Sequence, residues 1–286
     1  MLAMDRDLTS PPAERLKGKA GIRFFGDIHG CAAEFAALAE EAVARNLHLH
    51  SLGDLINRGP DSPGCMRLAC DLHDAGWLDI NPGNHDVEFA RWYLWQSEGG
   101  EPVPVKPNRL GATVTQLRQA QDGHHLGPRY FDLLMQAQLW SRFGRIYAVH
   151  AALDAEMLGQ AGPRLKDSDW QAPQTRLALE GEMRDADDPQ RRALGRRSFA
   201  WLDQVPASVT VMIGHSVAST DGLRERRNAQ GGRIVHLDTG LDRGGKLSYV
   251  DVPMSEIACA SEPRIAPFAA VTEREIREMR VRTGKI

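Results

Sequence analysis

What this chain of 286 residues lacks narrows it first. Four cysteines (Cys31, Cys65, Cys70 and Cys259) are too few for a disulfide scaffold, and their spacing fits no structural zinc pattern, so reduced thiols are expected. No apolar run approaches the roughly 20 residues of a membrane span. The N-terminal stretch MLAMDRDLTSPPAERLKGKA has acidic residues and prolines where a signal peptide needs an apolar centre. A cytoplasmic protein is expected, with no membrane partner. A formal net charge of only −3 supplies no overall field that would draw in nucleic acid, and long nucleic acid is the disfavoured partner. Internal repeats, low-complexity tracts and a convincing linker are absent as well, which favours one domain.

What is present suits a globular protein with a sizeable core: 42% hydrophobic and 26% charged residues. Residues 1–20 read as a flexible lead-in. Ile22 to Phe25 reads as a buried strand ending at Gly26-Asp27, Cys31 to Arg45 as a helix with Phe35, Leu38 and Ala42 on one face, and Leu47 to Leu52 as an alternating strand ending at Gly53-Asp54. A helix from about Asp61 to Asp74 and a strand near Trp77 to Ile80 lead to Pro82-Gly83-Asn84-His85-Asp86. This strand–turn–helix rhythm predicts a parallel sheet with its polar turns at the carboxyl ends of the strands. Residues 86–138 read as mainly helical, a cap broken by SEGGEPVPVKP. Gly144 to Val149 is a predicted strand delivering His150, and Ser208 to Ile213 one delivering His215. Residues 153–205 read as helical or irregular. Ile234 to Asp238 with Lys246 to Val252 is predicted to form a β-hairpin, and the tail 253–286 to end in a basic helix near Glu273 to Arg282.

The chemistry gathers on the turns: Asp27, His29, Asp54, Asn84, His85, Asp86, His150 and His215. Strand ends of an α/β sheet converge on one crevice, so these residues can meet although they are far apart in the chain. Carboxylate, imidazole and amide oxygen without thiolate suit a divalent Mn, Fe, Zn, Ni or Co ion. Two such ions need a bridging carboxylate, and a hydroxide held between them is a nucleophile at neutral pH.

The ordered motifs Gly26-Asp27-Ile28-His29-Gly30, Gly53-Asp54-Leu55-Ile56-Asn57-Arg58-Gly59 and Gly83-Asn84-His85-Asp86 resemble the signature of the phosphoprotein-phosphatase branch of calcineurin-like metallophosphoesterases. His150-Ala151-Ala152, Gly214-His215-Ser216 and Leu237-Asp238-Thr239-Gly240 continue the pattern, which covers about residues 21–252. The resemblance implies a four-layer α/β/β/α sandwich with a mostly helical cap insertion at 86–138. It implies two divalent metals, Mn foremost: Asp27 and His29 on the first, Asp54 bridging, Asn84, His150 and His215 on the second. It implies His85 as general acid, oriented by residue 57, and Arg58 as phosphoryl clamp. The chain departs from many protein phosphatases in having Asn57 where they have Asp; an amide oxygen can still accept from the imidazole. In pattern it is similar to bacterial diadenosine tetraphosphatases and to the phosphatase module of bacterial polynucleotide kinase-phosphatases. The implied substrate is a phosphoprotein, a dinucleoside polyphosphate or a nucleic-acid terminal phosphate. The competing reading is a metal-bound scaffold that binds phosphorylated partners and turns over poorly.

Other residues carry plainer readings. His48, His50, His73, His124, His125 and His236 read as structural or solvated, Asp86 as orienting its turn, and Trp92, Tyr93 and Trp95 as cap packing. Asp238 is either a neighbour of the metal ligands or a loop cap. Gly240 to Lys246 nearly spells a phosphate-binding loop, but Leu247 stands where Ser or Thr is required, so a hairpin turn is expected. The run Arg191 to Arg197 is either a solvated helical face or a grip on an anionic substrate.

Overall fold

The computed structural model describes residues 13–97, 99, 110–184 and 197–257. Among the described residues nine strands form two sheets. Strands β1 (Gly21–Phe25), β2 (Leu47–Ser51) and β3 (Leu78–Ile80) run parallel, and β9 (Tyr249–Pro253) closes the other edge antiparallel, in the order β3-β2-β1-β9. The second sheet has the order β4-β5-β6-β8-β7, built from β4 (Trp140–Phe143), β5 (Ile146–Val149), β6 (Thr210–Ile213), β7 (Arg224–Arg227) and β8 (Arg233–His236). Its central β5, β6 and β8 are parallel and both edges antiparallel.

Most strands read as apolar runs because both faces of each sheet are covered there. Between the sheets lie Ile22, Phe24, Val250 and Val252 against Phe143, Ile146, Met212 and Val235, with the Phe24 and Phe143 rings edge to face at 5.3 Å. The outer face of the first sheet carries α2 (Ala32–Ala44) and α3 (Ser62–Asp74). Asp61 caps α3 by accepting the Gly64 N–H at 2.7 Å. The second sheet is covered by α7 (Pro173–Glu180) and short 3₁₀ turns at Leu165–Asp167 and Ala200–Gln204. The layers are therefore α/β/β/α, with the last one largely irregular.

Between β3 and β4 three helices are inserted: α4 (Asn84–Ser97), α5 (Leu110–Gln119) and α6 (Gly123–Gln136), with α6 packed on α3, α4 and α5. Trp92 and Tyr93 pack here against Phe89 and Phe131. Two further short helices are α1 (Ala13–Leu16) and α8 (Met254–Ile257). Arg15 of α1, a residue of the expected lead-in, donates to Asp79 at 2.9 Å. Among the described residues no helix is long and apolar enough to cross a membrane.

The predicted hairpin is wrong. β8 pairs with β6 and β7, whereas β9 pairs with β1 in the other sheet. The connection from Leu237 to Ser248 thus passes from sheet to sheet, with a 3₁₀ turn at Leu241–Arg243 between Gly240 and Gly244, both left-handed. The strand expected over Leu47 to Leu52 forms at Leu47–Ser51; it is buried throughout, and His48 and His50 are structural, bonding to Asp79 (3.0 Å) and Asn81 (2.7 Å). Cys259, most of the Arg191 to Arg197 run and the expected terminal helix lie outside the described residues.

Candidate metal centre

Every predicted ligand follows the carboxyl end of a parallel strand: Asp27 and His29 after β1, Asp54 after β2, Asn84 after β3, His150 after β5 and His215 after β6. Both sheets contribute, so the site sits across their shared edge. The turns are tight. His29, Asp54, Asn57, Arg58 and His215 all have positive φ, five of the seven such non-glycine residues among those described. Left-handed backbone disfavours these side chains and persists where the surroundings over-determine it, as at ligand sites. Two glycines let backbone approach the carboxylates: a Cβ on Gly83 would lie 2.1 Å from Asp54 Oδ1, and one on Gly214 2.3 Å from Asp27 Oδ1.

Two ligand groups form, and both contain Asp54. One is His29, Asp54 and His85; the other is Asp54, His150 and His215, the donor atoms in each lying within 4.8 Å of one another. Asp54 Oδ2 is 3.7 Å from His29 Nε2 on one side and 3.5 Å from His150 Nε2 on the other. Asp27 Oδ2 is 3.6 Å from His29 Nε2. Asn84 Oδ1 lies 3.2 Å from His150 Nε2, and His215 Nδ1 3.0 Å from the same atom. The six expected ligands are brought together. The other side of two of the three imidazoles is fixed by backbone: His29 Nδ1 donates to the Ile56 carbonyl at 3.1 Å and His150 Nδ1 to that of Leu52 at 2.7 Å. Each Nε2 lone pair is thereby aimed into the site, as a metal-binding histidine requires.

The electrostatics point the same way. Burial and the facing carboxylate of Asp238 push Asp27 well above the usual carboxylate range. Burial also disfavours the Asp54 anion, but His150, His85 and His29 outweigh it and hold Asp54 well below that range. Burial alone would lower His150; Asp54 and Asp27 instead push it up to about 9. Buried carboxylates so close together demand positive charge, and protons on histidine and aspartate meet that demand where divalent cations would. The donor chemistry, the shared carboxylate and the fixed imidazoles fit two divalent ions.

Around this set stand the other predicted residues. His85, in the first turn of α4, donates its backbone N–H to Asp54 Oδ1 at 2.9 Å. Burial, with the neighbouring His29 and Arg58, lowers its imidazole to about 4 despite the Asp54 charge. Arg58 reaches His85 Nε2 at 3.1 Å and Asp242 Oδ2 at 3.5 Å. Asp86 receives the N–H groups of Asp54 and Gly83, so it holds the turns it was expected to orient. Asp238 accepts the Gly240 N–H at 3.0 Å and also faces Asp27, filling both roles weighed for it. Asn57 contradicts the expectation that its oxygen accepts from the imidazole: its Nδ2 faces His85 Nδ1 at 2.9 Å, while Oδ1 accepts from Thr113 at 2.6 Å. Thr113, Tyr130 and Asp242 escaped sequence reasoning. None belongs to a turn motif, and no local pattern reports a side-chain contact across 56 residues of sequence such as that of Thr113 with Asn57.

The sequence model of the calcineurin-like phosphoesterase family matches residues 21–219. Over 260 residues the chain is 25% identical to a bis(5'-nucleosyl)-tetraphosphatase PrpE [asymmetrical] of Geobacillus thermodenitrificans, covering 86% of this chain and 95% of that one. A bis(5'-nucleosyl)-tetraphosphatase, symmetrical, of Chromohalobacter salexigens is 42% identical over 134 residues, 45% of this chain and 43% of the other. In fold the chain is similar to a protein serine/threonine phosphatase from Saccharomyces cerevisiae, with a TM-score of 0.53 at 16% identity, covering 90% of this chain and 82% of that one. Two packed sheets whose strand ends bring together two ligand groups that share one carboxylate, and a family match over most of the chain, lead to one conclusion: this protein belongs to the calcineurin-like phosphoesterase family and is a metallophosphoesterase-type hydrolase.

Proposed function

We propose that the protein is a dinuclear metal-dependent phosphohydrolase that cleaves the phosphoanhydride of dinucleoside polyphosphates. The observation that carries the dinuclear reading is Asp54, whose Oδ2 stands between His29 and His150. In this reading Asp27, His29 and Asp54 hold one ion and Asp54, Asn84, His150 and His215 the other, manganese being the preferred metal. Such ions, when bound, supply Lewis-acid activation of water and neutralise phosphoryl charge. Arg58, a planar fork at the rim of the site, would grip the phosphoryl oxygens.

Two facts favour the anhydride over a phosphoprotein. Relatives named bis(5'-nucleosyl)-tetraphosphatase align over 86% of this chain. His85, lowered to about 4, is a neutral donor at physiological pH; a nucleotide phosphate leaves without the full proton that an alkoxide needs. The likeness to the yeast phosphatase concerns the fold alone.

A panel under manganese tests the reading: diadenosine tetraphosphate, a phosphoserine peptide and 3′-phosphorylated RNA, with products resolved by chromatography. The anhydride should turn over with the highest kcat/KM, and its products tell symmetrical from asymmetrical cleavage. Preference for the phosphopeptide or RNA would overturn the substrate assignment. Absence of any metal-stimulated hydrolysis, p-nitrophenyl phosphate included, would favour the scaffold reading.

A further inference from the structure

Asn57 is part of a closed ring of hydrogen bonds that reaches into the inserted helices. Its backbone N–H donates to Ser62 Oγ at 3.1 Å, Ser62 Oγ lies 2.9 Å from Thr113 Oγ1, and Thr113 Oγ1 donates to Asn57 Oδ1 at 2.6 Å. Asn57, Ser62 and Thr113 are each fully buried. Gln116, one turn after Thr113 on α5, fastens the same loop by accepting the Ser62 N–H at 2.9 Å and donating to the Gly59 carbonyl at 3.2 Å.

The direction of the ring follows from counting protons. Asn57 N–H can only donate, so Ser62 Oγ accepts from it. If Ser62 donates to Thr113 and Thr113 to Asn57 Oδ1, every hydroxyl proton and acceptor is used. Turning the amide round would put its NH₂ against Thr113, which would then donate to Ser62. The Ser62 proton would have no acceptor among the described residues, and an unmet buried donor is unfavourable. The ring thus turns Nδ2 of Asn57 toward His85 Nδ1, 2.9 Å away. An amide nitrogen donates, so Nδ1 is the acceptor and the single proton of the neutral imidazole sits on Nε2. Arg58 also points a donor at Nε2, at 3.1 Å. Of the two donors Arg58 is the one that can yield, because its side chain is flexible and 32% exposed whereas Asn57 is locked.

We propose that Thr113 is a positioning residue for the reaction: through Asn57 it fixes His85 as the Nε2–H tautomer, with its proton presented to the phosphate side of the site. The proposal rests on His85 being the proton donor of the hydrolase described above. It gives the helical insertion a direct part in the chemistry, since an α5 residue determines which ring nitrogen carries the proton.

Histidine ¹⁵N chemical shifts distinguish the two tautomers, and the protein loaded with diamagnetic zinc or magnesium allows the measurement. His85 should show a protonated Nε2 and a bare Nδ1; the reverse overturns the proposal without any variant being made. In Thr113→Val the donor to Oδ1 is lost, the amide is free to turn, and the Nδ1–H form should appear. With it, kcat on a phosphoserine peptide, whose alkoxide needs the proton, should fall on the order of tenfold to a hundredfold with KM within about twofold, and kcat on p-nitrophenyl phosphate should fall less. Thr113→Ser keeps the hydroxyl and should restore both the tautomer and kcat. Unchanged tautomer and kcat in Thr113→Val would remove Thr113 from this role. Should that variant fail to fold, Thr113→Ala removes the same donor to Oδ1 with a smaller side chain and is read in the same way. An inactive wild-type protein with the Nε2–H tautomer would refute the hydrolase reading alone, so the two failures are separable.

Discussion

The carboxylate of Asp86 accepts the backbone N–H of Asp54 at 2.7 Å. Its two oxygens also take the N–H of Gly83 at 2.9 Å and the hydroxyl of Tyr130 at 2.8 Å, so one buried side chain ties the turns after β2 and β3 together. Asp86→Ala strands these donors in the interior, at roughly 1–3 kcal/mol for each donor that finds no new partner. Urea denaturation should show a loss of about 2–5 kcal/mol, and metal content should drop with it. Tyr130→Phe removes only the hydroxyl donor and leaves Asp86 its backbone partners, and should cost about 1 kcal/mol. An unaltered denaturation midpoint for Asp86→Ala would leave the clamp without energetic weight.

Asp54 itself offers a cleaner test of the metal count. Asp54→Asn keeps an oxygen for the His85 N–H, so the turn should stand, but the shared negative charge is gone. Elemental analysis after dialysis should give fewer than two metals per chain, and hydrolysis should fall by at least about a hundredfold. Two retained metals with normal turnover would refute the bridging role.

Much of this site was legible because its ligands ride on turns that punctuate strands. Gly-Asp, Gly-Asn-His and Gly-His announce themselves locally, and parallel topology brings Asp27 and His215 together across 188 residues of sequence. What stayed hidden depends on long-range choices. The residues around Gly240 to Gly245 look like a hairpin turn, yet β8 and β9 join different sheets. Strand β7 is Arg-Glu-Arg-Arg and wholly exposed, so it has no apolar alternation to betray it. Arg23 interrupts an apolar strand, and its partner Asp251 at 2.7 Å lies 228 residues away. The left-handed backbone of His29 and His215 does not follow from residue type, because only a minority of histidines adopt it.

Acid should destabilise the metal-free protein through His50. The ring is buried against Phe24 and Phe143 and bonds Asn81 at 2.7 Å; burial lowers it to about 4. The unfolded chain takes up the proton near the ordinary value of about 6.5, whereas the folded chain resists until about 4. Stability is therefore lost as pH falls between these values, with a slope of up to about 1.4 kcal/mol per pH unit for this residue. His236, also lowered to about 4 by burial and by Arg226, adds to the same window. Denaturation series at several pH values should show the fall, and His50→Gln should reduce its slope. A flat profile from pH 6.5 to 4 would contradict the buried neutral rings.

Arg58 stands between His85 and Asp242. If it grips phosphoryl oxygens, Arg58→Ala should raise the inhibition constant for inorganic phosphate about tenfold or more, the scale of a charge-assisted hydrogen bond. Asp242→Asn removes only its holding partner and should raise that constant less. An inhibition constant untouched by Arg58→Ala would sink the clamp.

The leaving group separates the roles open to His85, which lies in a ligand group with His29 and Asp54 and also beside the phosphoryl clamp. As a neutral imidazole it can steady a departing oxygen but is a far weaker acid than imidazolium. p-Nitrophenolate and nucleotide phosphates leave nearly unaided; the alkoxide of phosphoserine requires a proton. Wild-type kcat/KM should therefore be much higher on p-nitrophenyl phosphate and diadenosine tetraphosphate than on a phosphoserine peptide. General acid assistance is worth ~10²–10⁴-fold, so His85→Asn should cost the peptide reaction a factor in that range and the other two substrates less. Metal content should not change. Asn57→Asp replaces the amide donor with a carboxylate that accepts from Nδ1–H and favours the protonated ring. That variant should raise the peptide rate relative to p-nitrophenyl phosphate and carry the basic limb of the pH profile upward. If His85→Asn instead slows all three substrates equally and releases metal, His85 is a ligand of the first ion, and the proton must come from elsewhere.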